Sequence, residues 1–212
     1  WAPLSKSIKS VSLSANWMWP CNNPGEDSRL YEAVKACSNF AIDLGINIPT
    51  GKDSLSMKQR YKDVEVLAPG TVIISATANC DNVSNVIEPV FKNTSDSIYY
   101  IDMSKSSYSI GGSAFGQTLS QIGDNCPDVK DTDYFKKVFN IIQKFIKDNL
   151  IVSGHDISSG GMITTLLELC FSENDLGANI DLSSLLSTDT TELLFCENPG
   201  IIFQGKKTVE KK

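Results

Sequence analysis

The chain has few of the residue types that most often build metal and catalytic sites. It contains one histidine, His155, and none of its six cysteines lies in a Cys-x-x-Cys pair. A structural zinc site takes four such ligands, so the common zinc-binding patterns are excluded. Most of the cysteines stand within apolar segments, and we interpret them as reduced, structural thiols of a cytosolic protein.

The chain also lacks an excess of positive charge and any long apolar run. Its net charge is −6, which argues against a surface for nucleic acid or anionic membrane, because such a surface needs many Lys and Arg side chains. No apolar run approaches the roughly 20 residues of a membrane helix, and no signal-peptide pattern is present. We therefore predict a cytoplasmic protein that binds neither nucleic acid nor membrane. A nucleotide ligand stays open, since it needs only a few local donors.

The 212 residues suffice for one large domain or two small ones. Because the chain opens at Trp1 without a methionine, we interpret it as part of a longer polypeptide. Periodicity predicts helices from about Asp27, over "DTDYFKKVFNIIQKFIKDN" and over Met162–Phe171. Strands are predicted in "SIYYIDM", "LIVSG" and "ANIDLSSL", on both sides of an "APG" turn in "YKDVEVLAPGTVIISATA", and as a hairpin in "TELLFCENPGIIFQ". This mixed order favours an α+β fold over a strict βαβ series.

The stretch "GHDISSGG", Gly154–Gly161, places the carboxylate of Asp156 between a predicted strand and a predicted helix. Ligands of α/β proteins bind outside the carboxyl ends of strands, and helix starts offer N–H groups to anions. Asp156 would then hold Mg²⁺ while hydroxyl and N–H groups bind phosphate oxygens. The alternative is a side-chain helix cap followed by a glycine turn. His155 alone is no catalytic signal, because no nucleophile motif accompanies it.

The stretch "TGKDSLSM", residues 50–57, is small and polar and contains a glycine, a lysine and an aspartate. It differs from the Gly-x-x-x-x-Gly-Lys-Ser/Thr phosphate loop, since Asp53 follows Lys52 and a second glycine is missing. Lys52 would pair with a phosphate, and Ser54 would donate a hydrogen bond to one. The alternative is a solvated loop that opens a strand.

A third candidate is "IGGSAFGQ", residues 110–117. Gly111 and Gly112 would let a ligand or a neighbouring element approach the backbone closely. Ser113 would cap the following helix. Here we favour close packing of the helix start over ligand binding.

Several specific motifs follow one another along the chain: "SLSANWMW" with "PGEDSRLYEAVKA", then "IPTGKDSLSM", then "GGSAF" and "GHDISSGGM". Together they resemble the large, single-chain form of phosphoribosylformylglycinamidine synthase, and the resemblance runs through nearly the whole chain. "NWMW" with "PGED", and "GKDSLSM", argue against the alternative of another superfamily member, such as a selenophosphate synthetase or a thiamin-phosphate kinase.

The resemblance implies part of the second of two tandem units, each similar to aminoimidazole ribonucleotide (AIR) synthetase. The expected fold is α+β. Residues 1–84 would be part of the N-terminal subdomain of that unit. Residues 85–212 would be its C-terminal subdomain, either complete or lacking a last helix or strand.

The resemblance also implies a ligase of de novo purine biosynthesis. ATP phosphorylates the formyl amide oxygen of formylglycinamide ribonucleotide, and ammonia from glutamine then displaces the phosphate to give formylglycinamidine ribonucleotide. The implied cofactors are ATP or ADP and Mg²⁺. Large members of the family hold a second, non-catalytic nucleotide. A purely structural scaffold around such a nucleotide is therefore the alternative function.

Motif by motif, the resemblance assigns Asp156 as a Mg²⁺ ligand and Ser158 as a nucleotide contact. It also aligns a phosphate and substrate loop of the small-form relatives with Gly51, Lys52, Asp53 and Ser54. Lys52 replaces an asparagine there, and an ammonium group cannot ligate a metal. No catalytic residue is assigned to this chain.

The resemblance implies that the partners are small-molecule substrates and the remaining domains of the same polypeptide, namely the first synthetase unit and a glutaminase domain. The other Mg²⁺ ligands of the family would precede Trp1, and the glutaminase Cys–His–Glu set is not found. We therefore expect the isolated chain to have neither synthetase nor glutaminase activity. We also expect it to self-associate, because an incomplete subdomain would leave apolar surface exposed.

Overall fold

The structure, a computed structural model, describes residues 1–92, 95–172, 176–185, 189–206 and 209. These residues form two compact units. One comprises Leu4–Asp81, and the other combines Trp1–Pro3 with Asn82–Lys212. The remaining residues, all of them in the predicted C-terminal subdomain 85–212, lie outside the described part of the chain. No helix among the described residues is long and apolar enough to cross a membrane.

The unit Leu4–Asp81 contains a three-stranded sheet and a separate two-stranded hairpin. After a 3₁₀ turn, its elements are β1 (Ser12–Met18), α1 (Glu26–Leu44), β2 (Asn47–Ser54), β3 (Lys58–Tyr61), β4 (Val64–Leu67) and β5 (Thr71–Thr77). The middle strand β1 lies parallel to β2 and antiparallel to β5. A parallel pair needs a crossover connection, and α1 supplies it.

Helix α1 begins one residue before the predicted start at Asp27. Glu26 and Asp27 stand in its first turn, where acidic groups suit the positive end of the helix dipole. Gly45 ends the helix in the left-handed conformation (φ 73°), and its N–H group bonds to the carbonyl oxygens of Ala41 and Ile42. Glycine adopts this conformation without a Cβ penalty, which makes Gly45 the predicted stop.

The second unit has one sheet with helices on both faces. Its elements are β6 (Ser97–Asp102), α2 (Ala114–Thr118), α3 (Thr132–Lys147), β7 (Ile151–Ile157), α4 (Gly161–Glu168), α5 (Thr190–Phe195) and β8 (Gly200–Gly205). The strand order is β6-β8-β7, and β8 is antiparallel to both neighbours. Every residue of β8 is buried, as the central strand of a covered sheet requires.

Alternate side chains of β8 divide the core into two clusters. Ile201 and Phe203 pack into one cluster with the apolar stripe of α3, including Ile146. Ile202 points to the opposite face and packs with Met162 of α4 and other apolar residues. Successive side chains of a strand alternate between faces, so this short strand joins both halves of the core. The predicted α+β class is confirmed.

The predicted hairpin over "TELLFCENPGIIFQ" is wrong. Its first half forms α5, because the side chain of Asp189 accepts hydrogen bonds from the N–H groups of Thr191 and Glu192 at the helix start. Only the second half is a strand. That strand, β8, pairs with β6 and β7.

One further strand prediction is wrong, and another is confirmed. "ANIDLSSL" forms no strand in its described residues, and Ser183–Leu185 form a 3₁₀ turn in which Asp181 accepts the N–H group of Ser183. The strands on either side of "APG" exist, but β4 pairs with β3 and β5 pairs with β1. The "APG" turn therefore connects two sheets and does not close a hairpin.

Candidate functional site

The segment Gly154–Gly161 begins as a strand and ends as a helix start. Strand β7 extends through Ile157, so Asp156 is its penultimate residue and Ser158 is the first residue beyond it. The Asp156 side chain is 60% exposed, and Ser158 is exposed as well. Both polar groups are therefore accessible at the carboxyl end of β7.

The turn into α4 is made by glycines and not by a side-chain cap. The N-cap residue is Gly160 (φ 89°), and Gly161 also has a positive φ of 74°. The N–H group of Gly161 donates to the carbonyl oxygen of Ser158 at 3.0 Å. A Cβ at Gly161 would lie 2.6 Å from the carbonyl oxygen of Leu194. The alternative of an Asx or Ser helix cap is therefore wrong, whereas the glycine turn is real.

Two aromatic rings contact the Asp156 carboxylate. Nε1 of Trp1 donates to Oδ1 at 3.3 Å, and Nδ1 of His155 lies 3.6 Å from the same oxygen. Nε2 of His155 lies 3.1 Å from Oε2 of Glu168. The nearest partner of Nε2 is therefore an acidic group, whereas Nδ1 lies closer, at 2.9 Å, to the backbone carbonyl oxygen of Asp156.

The donor set at Asp156 limits the kind of metal that fits. Within the described part of the chain, no group of three or more His, Cys, Asp or Glu side chains is placed to hold a metal ion. Mg²⁺ bound to a nucleotide commonly uses one or two protein carboxylates together with phosphate oxygens and water. The exposed Asp156 fits such an ion, but it does not fit a metal held by this chain alone.

A cavity of about 360 Å³ lies beside Asp156. Trp1, Phe135 and Phe139 contribute aromatic rings to its lining, and Gln143 and Asp156 contribute polar groups. The cavity offers an apolar surface directly next to an accessible carboxylate.

Glu197, which the sequence analysis missed, connects two of the predicted motifs. Its Oε1 atom accepts a hydrogen bond from the N–H group of Ala114 and another from that of Gly160, both at 2.8 Å. One carboxylate oxygen therefore joins the start of α2 to the turn that follows Ser158. No local pattern signals this contact, because Glu197 stands in the stretch "ENPG", which was expected to be a hairpin turn.

The Gly-rich stretch 110–117 packs against its own chain. Ser113 caps α2, since its Oγ accepts the N–H group of Gly116 at 3.1 Å. A Cβ at Gly111 would lie 2.2 Å from the carbonyl oxygen of Asn125. The glycine thus permits a close approach of protein backbone, which agrees with the close packing that the sequence analysis favoured.

The four residues predicted as a phosphate and substrate loop form the end of β2 instead. Gly51, Lys52, Asp53 and Ser54 pair with Ala15, Asn16, Trp17 and Met18 of β1. The parallel pairing with β1 keeps this stretch extended, so these residues form a strand and not a loop. Side chains alternate along a strand, which places Lys52 and Ser54 on one face and Asp53 on the other.

Two family models match the chain. The model described as "FGAR-AT PurM_N-like domain" matches residues 1–79, and "AIR synthase related protein, C-terminal domain" matches residues 96–204. The chain belongs to the AIR synthase-related family.

Curated relatives agree with the resemblance seen in the sequence. A probable phosphoribosylformylglycinamidine synthase of Arabidopsis thaliana, named as chloroplastic/mitochondrial, is 40% identical over 98% of this chain and 15% of its own length. The probable Caenorhabditis elegans synthase is 37% identical over 96% of this chain and 16% of its own length. The Homo sapiens synthase is 36% identical over 95% of this chain and 15% of its own length. The predicted resemblance is confirmed, and the chain spans about a sixth of these relatives.

Solved structures show the same fold at low identity. "T. maritima PurL complexed with ATP" has a TM-score of 0.58 and 10% identity over 99% of this chain and 31% of that one. Escherichia coli HypE, a hydrogenase maturation protein, has a TM-score of 0.56 and 15% identity over 94% of this chain and 60% of that one. The fold of this chain is therefore AIR-synthetase-like, as predicted.

Proposed function

We propose that this chain is part of a phosphoribosylformylglycinamidine synthase, an ATP- and glutamine-dependent ligase of purine biosynthesis. In this proposal it belongs to the second synthetase-like unit and contributes residues for a nucleotide and Mg²⁺. It has no glutaminase role. The observation that carries the proposal is the exposed pair Asp156 and Ser158 at the carboxyl end of β7, in a chain whose curated relatives are named as this enzyme.

Asp156 would hold a Mg²⁺ ion, which would offset the negative charge of the ATP or ADP phosphates. Its carboxylate is negative and exposed, and hard oxygen ligands suit Mg²⁺. The Ser158 hydroxyl, two residues further, would donate to a phosphate oxygen. PurL structures with ATP and with ADP are among the structures of the same fold, which supports a nucleotide as the ligand.

Lys52 and Ser54 would contact a phosphate or the substrate from one face of β2. The Lys52 side chain is exposed, so its ammonium is accessible to an anion. Gly51 and Asp53 keep the roles predicted for this segment, although the segment is a strand. The division of the chain near residue 84, the partner domains, the inactivity of the isolated chain and its self-association also stay predictions.

The compartment stays a prediction as well. We predicted a cytoplasmic protein from the cysteines and the absence of targeting signals. The Arabidopsis thaliana relative is named as a chloroplastic/mitochondrial protein.

The two alternatives, a catalytic nucleotide and a purely structural one, differ in what Asp156→Asn does to the full-length enzyme. Loss of the carboxylate should weaken nucleotide binding in the presence of Mg²⁺ by at least about tenfold, because a metal ligand is removed. A structural nucleotide predicts lower thermal stability with kcat of the folded enzyme little changed. A catalytic nucleotide predicts a large loss of kcat with the fold intact.

Asp124→Asn is the matched control, because Asp124 is an exposed aspartate of the same unit. It should leave both nucleotide affinity and kcat unchanged. If Asp156→Asn binds nucleotide as tightly as the wild type at every Mg²⁺ concentration, Asp156 is not a metal ligand and the proposal for this segment is wrong.

A further inference from the structure

Three consecutive side chains between α5 and β8 form hydrogen bonds to different parts of the compact unit that contains them. These residues are Cys196, Glu197 and Asn198. Cys196 and Asn198 are each 3% exposed. Their hydrogen bonds fix the connection from β6 to α2, which ends in the Gly-rich stretch.

Cys196 and Asn198 hold the first part of that connection. Sγ of Cys196 accepts the N–H group of Ser109 at 3.3 Å. Nδ2 of Asn198 donates to Oγ of Ser104 and to the carbonyl oxygen of Ser107, both at 3.1 Å. Burial raises the pKa of the Cys196 thiol, so the sulfur stays neutral and serves as an acceptor within the fold.

Glu197 holds the end of the connection and the turn after β7 at once. The N–H groups of Ala114 and Gly160 both donate to Oε1 at 2.8 Å. Hydrogen bonds to an ionised acceptor are shorter and stronger than neutral ones. Removal of this acceptor would leave two partly buried N–H groups without a partner, which is costly.

We propose that Glu197 is a positioning residue for the nucleotide site, an inference that rests on the proposed function. It acts through the turn: Gly160 is bound to Glu197, and Gly161 donates to the carbonyl oxygen of Ser158. The carboxylate thereby fixes the position of Ser158 at the end of β7. It also occupies the N–H group of Gly160, so a bound phosphate contacts the Ser158 hydroxyl and not this amide.

The test uses the full-length enzyme and ADP with Mg²⁺ as the probe. Glu197→Ala should weaken ADP binding roughly 10- to 100-fold, the range seen when a residue that orients a metal ligand is lost. Glu197→Gln keeps a carbonyl oxygen that accepts both N–H groups and should restore most of the affinity. Glu192→Ala, five residues earlier and within α5, is the matched control and should bind ADP as the wild type does.

A double-mutant cycle separates positioning from a general structural role. If Glu197 acts through Ser158, then Ser158→Ala and Glu197→Ala together should weaken ADP binding by clearly less than the product of the single effects. If the effects of the two single substitutions on ADP binding simply multiply, the two residues act independently and the proposal is wrong. Amide exchange of peptides that cover residues 110–117 and 156–161 should accelerate in Glu197→Ala and not in Glu197→Gln.

The outcomes distinguish this inference from the proposed function. If Asp156→Asn weakens ADP binding but Glu197→Ala does not, Glu197 has no positioning role and the proposed function stands. If neither variant weakens ADP binding, the proposed nucleotide site is wrong, and the inference that rests on it is wrong as well. Should Glu197→Ala fail to fold, Glu197→Asp decides, because its shorter side chain cannot reach both N–H groups. Wild-type affinity in a folded Glu197→Asp enzyme would refute the proposal.

Discussion

At Gly51, strand β2 passes so close to β1 that a side chain has no space. A Cβ built at Gly51 would lie 2.0 Å from the carbonyl oxygen of Ala15, and real Cβ atoms do not approach an oxygen that closely. The glycine in the "GKDS" motif thus has a structural reason that is independent of any phosphate. Because Gly51 has no side chain, β2 can pair closely with β1. This pairing keeps the stretch a strand, although its small and polar residues suggested a loop.

Gly51→Ala should therefore destabilise the protein by roughly 1–3 kcal/mol, the usual cost of forcing extra atoms into a packed position. The measurement is urea unfolding without nucleotide. Gly177→Ala is the control, since nothing lies within 4 Å of a Cβ at Gly177. If both variants unfold at the same urea concentration as the wild type, the close approach of β1 and β2 is wrong.

The site residues differ in how far local sequence could predict them. Asp156 and Ser158 were placed at a strand end because an apolar run precedes them and glycines follow. Glu197 could not be found in this way, since its partners Gly160 and Ala114 lie 37 and 83 positions away in the sequence. A contact of that range leaves no periodic pattern in one sequence.

Among the helices, α3 shows the closest agreement between pattern and structure. Its apolar residues recur at helical spacing, and Val138, Ile142, Phe145 and Ile146 are buried. Helix α5 was missed because Thr190–Phe195 contains β-branched and aromatic residues that favour strands. The cap at Asp189 and the burial of Leu193 outweigh that preference, and neither is visible in the hydrophobic pattern.

The first turn of α3 predicts a pH effect on stability. Asp131 caps the helix by accepting the N–H group of Tyr134 at 2.8 Å, and it lies 3.1 Å from Nζ of Lys105. The Tyr134 hydrogen bond, followed by Lys105, holds the pKa of Asp131 below its usual range. Because the pKa is lower in the folded than in the unfolded protein, the ionised cap stabilises the fold above the unfolded pKa of roughly 3.9. That stabilisation is lost as the pH falls through the folded pKa.

Asp131→Asn keeps a side-chain oxygen at the cap but cannot ionise. The wild type should be the more stable protein at neutral pH, and the difference should shrink as the pH falls below roughly 3.9. Urea unfolding of both proteins over a pH series measures this difference in stability. A stability difference that stays constant over the whole series would contradict the role of the ionised carboxylate.

For the whole molecule, the α+β class followed from strands that neighbour each other as well as alternate with helices. The order of strands within the sheets could not be predicted from the sequence, because pairing such as β6-β8-β7 joins elements that are far apart along the chain. The motifs predicted the family correctly. The chain spans about a sixth of the length of its curated relatives, so its motifs alone could not predict a complete ligand set.

The central claim is that the end of β7 holds a nucleotide through Mg²⁺. The most direct test is a crystal structure of the full-length enzyme with ADP and Mn²⁺ in place of Mg²⁺, in which anomalous scattering locates the metal. We predict Mn²⁺ at a metal–oxygen distance of roughly 2.1 Å from a carboxylate oxygen of Asp156, and an ADP phosphate oxygen within hydrogen-bond distance of Ser158. Bound metal and ADP that touch neither residue would contradict the account.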